Sequence, residues 1–224
     1  MISFKEGCGL IDRLADTQSL ERQEWIRLIR GRTPELSEYL FTRAREIRIR
    51  HYGHSIYIRG LIEFTNYCRN DCYYCGIRRS NRNAVRYRLT KEQILSCCDT
   101  GYRLGFRTFV LQGGEDGWFT EERMTEIISE IHSSWPDCAV TLSIGELPRE
   151  AYQRFFDAGA DRYLLRHETF DASHYRMLHP ASLSAAHRQQ CLWDLKEIGY
   201  QVGTGFMVGS PFQTAENLAD DMLF

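Results

Sequence analysis

Nowhere in this chain does an apolar run approach the roughly 20 residues needed to cross a bilayer, so the sequence holds no candidate membrane span. The opening Met1-Ile2-Ser3-Phe4-Lys5-Glu6 lacks the basic-then-apolar order of a secretory leader, and the expected location is cytoplasmic. Charge of one sign is not in excess either. Lys and Arg number 28 against 30 Asp and Glu, a net charge of -2, which argues against a dedicated nucleic-acid surface. Local clusters such as Arg45, Arg48 and Arg50 read as a solvated helix face. Low-complexity segments and internal linkers are missing too. What is present is 224 residues, 43% apolar and 26% charged, enough for a sizeable core.

Cysteine is the residue in good supply, with 8 in the chain. Disulfide-dense scaffolds are usually much shorter secreted chains, so a reducing, metal-handling use fits better. Cys68, Cys72 and Cys75 stand as Cys-x3-Cys-x2-Cys directly after the strand-like run Ile56 to Phe64. Thiolates on one short loop can turn to a common centre, and three are one too few to close a four-iron cluster. A structural zinc wants four ligands, and Cys8, Cys97, Cys98, Cys138 and Cys191 offer no compact second set. Zinc, buried structural cysteines or a redox pair are the plainer alternatives.

Around this loop the pattern is regular. The first fifty residues read as helical, with breaks at Gly31 and near Gly53, giving an N-terminal helical extension over 1–54. From 55 to 224 strands and helices alternate: Ile56 to Phe64, Thr108 to Leu111, Ala139 to Ile144, Tyr163 to Leu165 and Val202 to Val208 are strands. Helices lie between them, one opened by the capping box Thr90-x-x-Gln93 and others closed by Gly159 and Gly199. The fold class is α/β, a parallel sheet with helices outside. In such sheets the carboxyl ends of the strands form the site. Those ends carry Cys68, Gln112-Gly113-Gly114-Glu115, Ser143 to Glu146 and Arg166 to Thr169. Thr141 and Ser143 share a strand face. Glu168 is placed to accept hydroxyls and lone His167 to point into the wall, while by composition alone Arg188 reads as a surface arginine.

The cysteine loop, Tyr74 before its last cysteine and the Gly-Gly-Glu at 113–115 together resemble the radical S-adenosylmethionine (SAM) superfamily. That resemblance implies a [4Fe-4S] cluster held by Cys68, Cys72 and Cys75. SAM would sit on its open iron, contacted by Tyr74, Gln112, Gly113, Gly114, Glu115, Thr141, Glu168 and Arg188. The longer runs Arg59 to Arg78, Tyr87 to Thr90, Leu111 to Asp116, Ser143 to Glu146, Leu165 to Thr169 and Gly205 to Gly209 are similar to the FeFe-hydrogenase maturases of HydE type. Methylornithine synthase and biotin synthase are neighbouring branches. The resemblance implies a TIM-type (β/α)8 barrel, here about five of eight β/α units, C-terminally truncated. It also implies Arg166 and Ser143 as substrate contacts, a small-molecule or organometallic iron substrate, maturation partner proteins and an external electron donor, with no nucleic acid and no membrane. Phe212 stands where the family pattern favours glycine.

Overall fold

The computed structural model describes residues 2–224. Short polar residues set the helix starts. Ser3 Oγ accepts from the Glu6 N–H ahead of α1 (Phe4–Thr17), the Glu21 N–H donates to the Glu24 carboxylate at the head of α2 (Arg22–Arg30), and Thr33 caps α3 (Pro34–Tyr52), whose first residue is the proline. Then follow β1 (Gly60–Thr65), α4 (Lys91–Arg103), β2 (Thr108–Gly113), α5 (Glu121–Ser134), β3 (Ala139–Ser143), α6 (Arg149–Asp157), β4 (Arg162–Leu164), α7 (Ala172–Leu178), α8 (Ala185–Ile198), β5 (Gln201–Gly203) and α9 (Ala215–Leu223). No helix among the described residues is long and apolar enough to cross a membrane.

The residues divide into two compact units. One comprises the described residues up to Tyr57, with Thr169–His174 and Met207–Phe224. Its core gathers Leu10, Ile11, Leu20, Trp25, Ile26, Leu28, Leu36 and Ala219. The Arg22 guanidinium grips Asp220 at 2.6 and 2.9 Å. Phe212 lies in this unit with φ 65, the left-handed region that costs a side-chain-bearing residue roughly 1–2 kcal/mol. The resemblance to the family implies glycine at this position. Because the ring is 71% exposed, its loss removes little packing. Phe212→Gly should therefore raise stability by up to about 1 kcal/mol, seen as a higher urea midpoint; an unchanged midpoint would mean the turn carries no strain.

The second unit, Ile58–Glu168 and Tyr175–Phe206, holds the sheet. All neighbouring strands are parallel and follow chain order, β1-β2-β3-β4-β5. An order without reversal is the winding of a β/α barrel, whereas a doubly wound sheet turns back at a switch point. Fully buried Ile94, Leu111, Ile128, Val140, Leu142, Tyr152, Tyr163 and Leu195 join sheet to helices, and every strand delivers its carboxyl end to one side.

Strand limits differ most from the sequence reading in two places, β1 and β5. The β1 ladder starts at Gly60, which pairs with Phe109. β2 begins only at Thr108 and offers no partner to Ile56, Tyr57 and Ile58, which are 80, 70 and 67% exposed. β5 ends at Gly203 because β4 leaves the ladder after Leu164. Glu168 then takes φ 66 and rejoins only as a single bridge to Phe206. α7 is a helix of 7 residues whose sequence carries no strong periodic signal.

Candidate functional site

At the carboxyl end of β1 the pairing with β2 slips between Glu63 and Thr65, a bulge of the kind that re-aims the chain beside active sites. The Thr65 hydroxyl donates to Asp116 Oδ2 at 2.8 Å and accepts from the Tyr67 N–H at 3.2 Å, which turns the chain into the cysteine loop. The loop leans directly on the end of β2. A Cβ on Gly114 would stand 2.2 Å from Tyr67 O and 2.7 Å from Cys68 Cβ, so only glycine lets the two backbones meet. Gly114→Ala should push the Cys68 segment aside and cost about 1–3 kcal/mol; a urea midpoint equal to that of the parent would show that the strand end yields without penalty.

Cys68, Cys72 and Cys75 line one cleft of about 440 Å3 together with Tyr74, Gln112, Gly113, Gly114, Glu115, Ser143, Arg166, Glu168 and Arg188. The sequence-predicted residues are thus brought together, save one. Thr141 lies two residues below Ser143 on β3, buried and off the cleft lining, with its Oγ1 lacking a hydrogen-bond partner. The cysteines carry free thiols. Burial pushes the Cys72 thiol up to about 11, helped by the neighbouring Cys68 and Cys75 and opposed by Arg188. Among the described residues no group of three or more His, Cys, Asp or Glu side chains is placed to hold a single metal ion.

Carboxylates and arginines form the opposite wall. Glu115 is braced: Oε2 accepts from Arg69 Nε at 3.0 Å and Oε1 from the Glu146 N–H at 3.1 Å. It packs over Gly145, whose φ of 86 and missing Cβ make the room. Arg188 and Glu146, the latter placed by the sequence only among the strand-end residues, are both buried and stand 2.9 Å apart from Nε to Oε1. The single Nε–H is aimed at the Tyr175 hydroxyl, 3.3 Å away, so Oε1 is held by charge and not by a hydrogen bond. Burial raises the Glu146 carboxyl against the pull of Arg188. Burial also works against the charge on Arg188, but Glu146 and Tyr175 outweigh it and hold the guanidinium above its ordinary value.

Glu168 occupies the fourth strand end in a left-handed backbone, φ 66, a strained geometry that tends to collect at functional sites. Its Oε1 is 3.3 Å from Arg166 Nε, and its buried Oε2 has no hydrogen-bond partner. Burial raises this carboxyl too, opposed by Arg166 and Arg188. His167 points into the wall as expected, with Nδ1 2.9 Å from Thr204 Oγ1. Tyr74 meets a residue that the sequence did not single out: its hydroxyl is 3.0 Å from Nε2 of buried His179, whose ring stacks on Tyr175 at 3.8 Å. No local pattern marks His179, since its partner is 105 positions away.

The model of the Radical SAM superfamily matches residues 62–224. The [FeFe] hydrogenase maturase subunit HydE of Thermotoga maritima is 44% identical over 92% of this chain and 60% of its own length. The crystal structure of methylornithine synthase (PylB) superposes with a TM-score of 0.86 at 26% identity, covering 95% of this chain and 62% of that one. HydG, a maturase of the [FeFe]-hydrogenase, superposes at 0.85 over 98% of this chain and 50% of its own, and at 23% identity it speaks for the fold alone. The chain spans about 60% of the length of the first two of these relatives.

Proposed function

This chain belongs to the radical SAM superfamily, and we propose that it forms the cofactor-binding part of a HydE-type enzyme of FeFe-hydrogenase maturation. The superfamily's cofactors are a [4Fe-4S] cluster and SAM, which when bound supply reductive cleavage of SAM to a 5′-deoxyadenosyl radical that takes hydrogen from substrate. One observation carries the reading: three thiols on one loop share a cleft with a strained, incompletely bonded carboxylate and a buried guanidinium.

The residues suit these cofactors. A cubane takes its cysteines on separate irons, and the three thiols that would hold it line one cleft. Oε2 of Glu168 is free to accept a ribose hydroxyl, and the Arg188 guanidinium, paired with Glu146 and lining the same cleft, would meet the carboxylate of SAM. Tyr74, held by His179, would supply the aromatic wall beside adenine. Gln112, the 113–114 backbone and Glu115, which line the cleft, would flank the amino group, with Glu115 tethered by Arg69. Ser143 and Arg166 remain for substrate, a small molecule or an organometallic iron compound, with maturation partners and an external electron donor completing the reaction. The 44% identity to HydE, against 26% to methylornithine synthase, favours the hydrogenase branch.

Anaerobic reconstitution followed by electron paramagnetic resonance of the reduced protein tests the proposal. SAM should shift the cluster signal; a spectrum that SAM leaves unchanged would overturn it.

A further inference from the structure

The segment after the cysteines returns to the loop it came from. Asn66 pairs with it: its N–H meets Tyr87 O at 3.4 Å, its Oδ1 accepts from the Tyr87 N–H at 2.9 Å, and its Nδ2 donates to Val85 O at 2.7 Å. Between these contacts sits Arg86. Its Nη1 donates to the carbonyls of Asn66 and Ile77, the latter at 2.9 Å, and its Nη2 donates to those of Arg78 at 2.8 Å and Asn81 at 3.3 Å. Asn66 precedes Cys68 and Ile77 follows Cys75, so one cation spans both flanks of the loop. The four terminal N–H groups of the guanidinium are matched by four carbonyls, and no carboxylate takes part.

We propose that Arg86 is the positioning residue of the cluster loop: it pins the two ends so that Cys68, Cys72 and Cys75 hold their cleft-facing arrangement before and after metal uptake. Backbone carbonyls on opposite flanks have no attraction of their own, and a planar fork of fixed donors is what brings them together. A lysine would keep the charge but offer three donors from one point, too few and too close to reach four carbonyls on two flanks. The inference rests on the radical SAM reading of the cysteines, and it names a residue that touches neither cluster nor substrate.

The test uses the chain with Arg86→Lys and Arg86→Ala, and with Arg82→Ala as an exposed comparison. In the metal-free proteins, hydrogen exchange of amides 66–82 should be faster in both Arg86 variants, while the thermal transition stays near that of the parent. After reconstitution with ferrous iron and sulfide, iron release to EDTA should be about tenfold faster or more in both, and unchanged in Arg82→Ala. Release at the parental rate from Arg86→Ala, or full rescue by lysine, would overturn the proposal. Collapse of the metal-free fold in both Arg86 variants would also overturn it, because the residue would then serve the whole unit and not the loop. A parent chain that takes up no four-iron cluster would instead sink the functional reading beneath it.

Discussion

Serine in place of Cys72 should leave the protein folded and without its cluster. The thiol contributes no disulfide and lines an open cleft, so the fold depends on it little. The cluster depends on it heavily, because with three cysteines there is no spare ligand. Loss of an outer partner alone typically costs 10–100-fold in metal affinity, and loss of a direct thiolate should exceed about a hundredfold. Iron and sulfide per chain after reconstitution should fall to background, with circular dichroism unchanged. Cys97→Ser makes the comparison: Cys97 is exposed on α4 and away from the cleft. If Cys72→Ser kept a full complement of iron, or if Cys97→Ser lost it, the assignment of the ligand loop would be wrong.

The second large effect is on stability. Arg188→Met would strand Glu146 as an unpaired buried charge, and breaking such a pair costs about 3–5 kcal/mol. Among the described residues the ion pairs of the Glu146 carboxylate are with Arg188 and, at 3.6 Å, His187. Burial already holds its carboxyl above the ordinary value, and removing the arginine raises it further. The sign follows: a carboxyl whose folded value is raised favours the folded state at low pH, so the deficit should be full near pH 7 and shrink toward about pH 5. The double variant Glu146→Gln with Arg188→Met removes both charges and should recover much of the loss. Urea unfolding at the two pH values measures all of this. A single variant that loses under about 1 kcal/mol, or a double variant worse than the single, would contradict the pairing. SAM affinity separates the roles: it should fall in both variants that lack Arg188 and persist in Glu146→Gln.

Much of the frame was legible in the chain because it is governed by neighbours. The Thr90–Gln93 capping box, Gly199 in the left-handed cap of α8 and the apolar stripe Met124, Ile127, Ile128, Ile131 all hold in the structure. Each is set within four residues or so by helix geometry. The cysteine spacing is likewise local. Errors fell where a ladder partner decided the outcome: Ile56 to Ile58 have strand composition, but composition does not supply the neighbouring strand.

By itself, then, the sequence determined the α/β class, the order of the units and the three-cysteine loop, since spacing, caps and periodicity act over one or two turns. Only the tertiary structure decided how the site is held. Arg86 reaches carbonyls on both flanks of the loop, Glu146 faces Arg188 across 42 positions, Tyr74 meets His179 across 105, and Glu168 adopts its left-handed backbone. The Glu146–Arg188 and Tyr74–His179 pairs join residues far apart in the chain, and charge and hydrogen-bond geometry over such separations exist only once the fold has brought them together. Arg86 acts over 20 positions or fewer, but which carbonyls it meets is decided only by the folded loop.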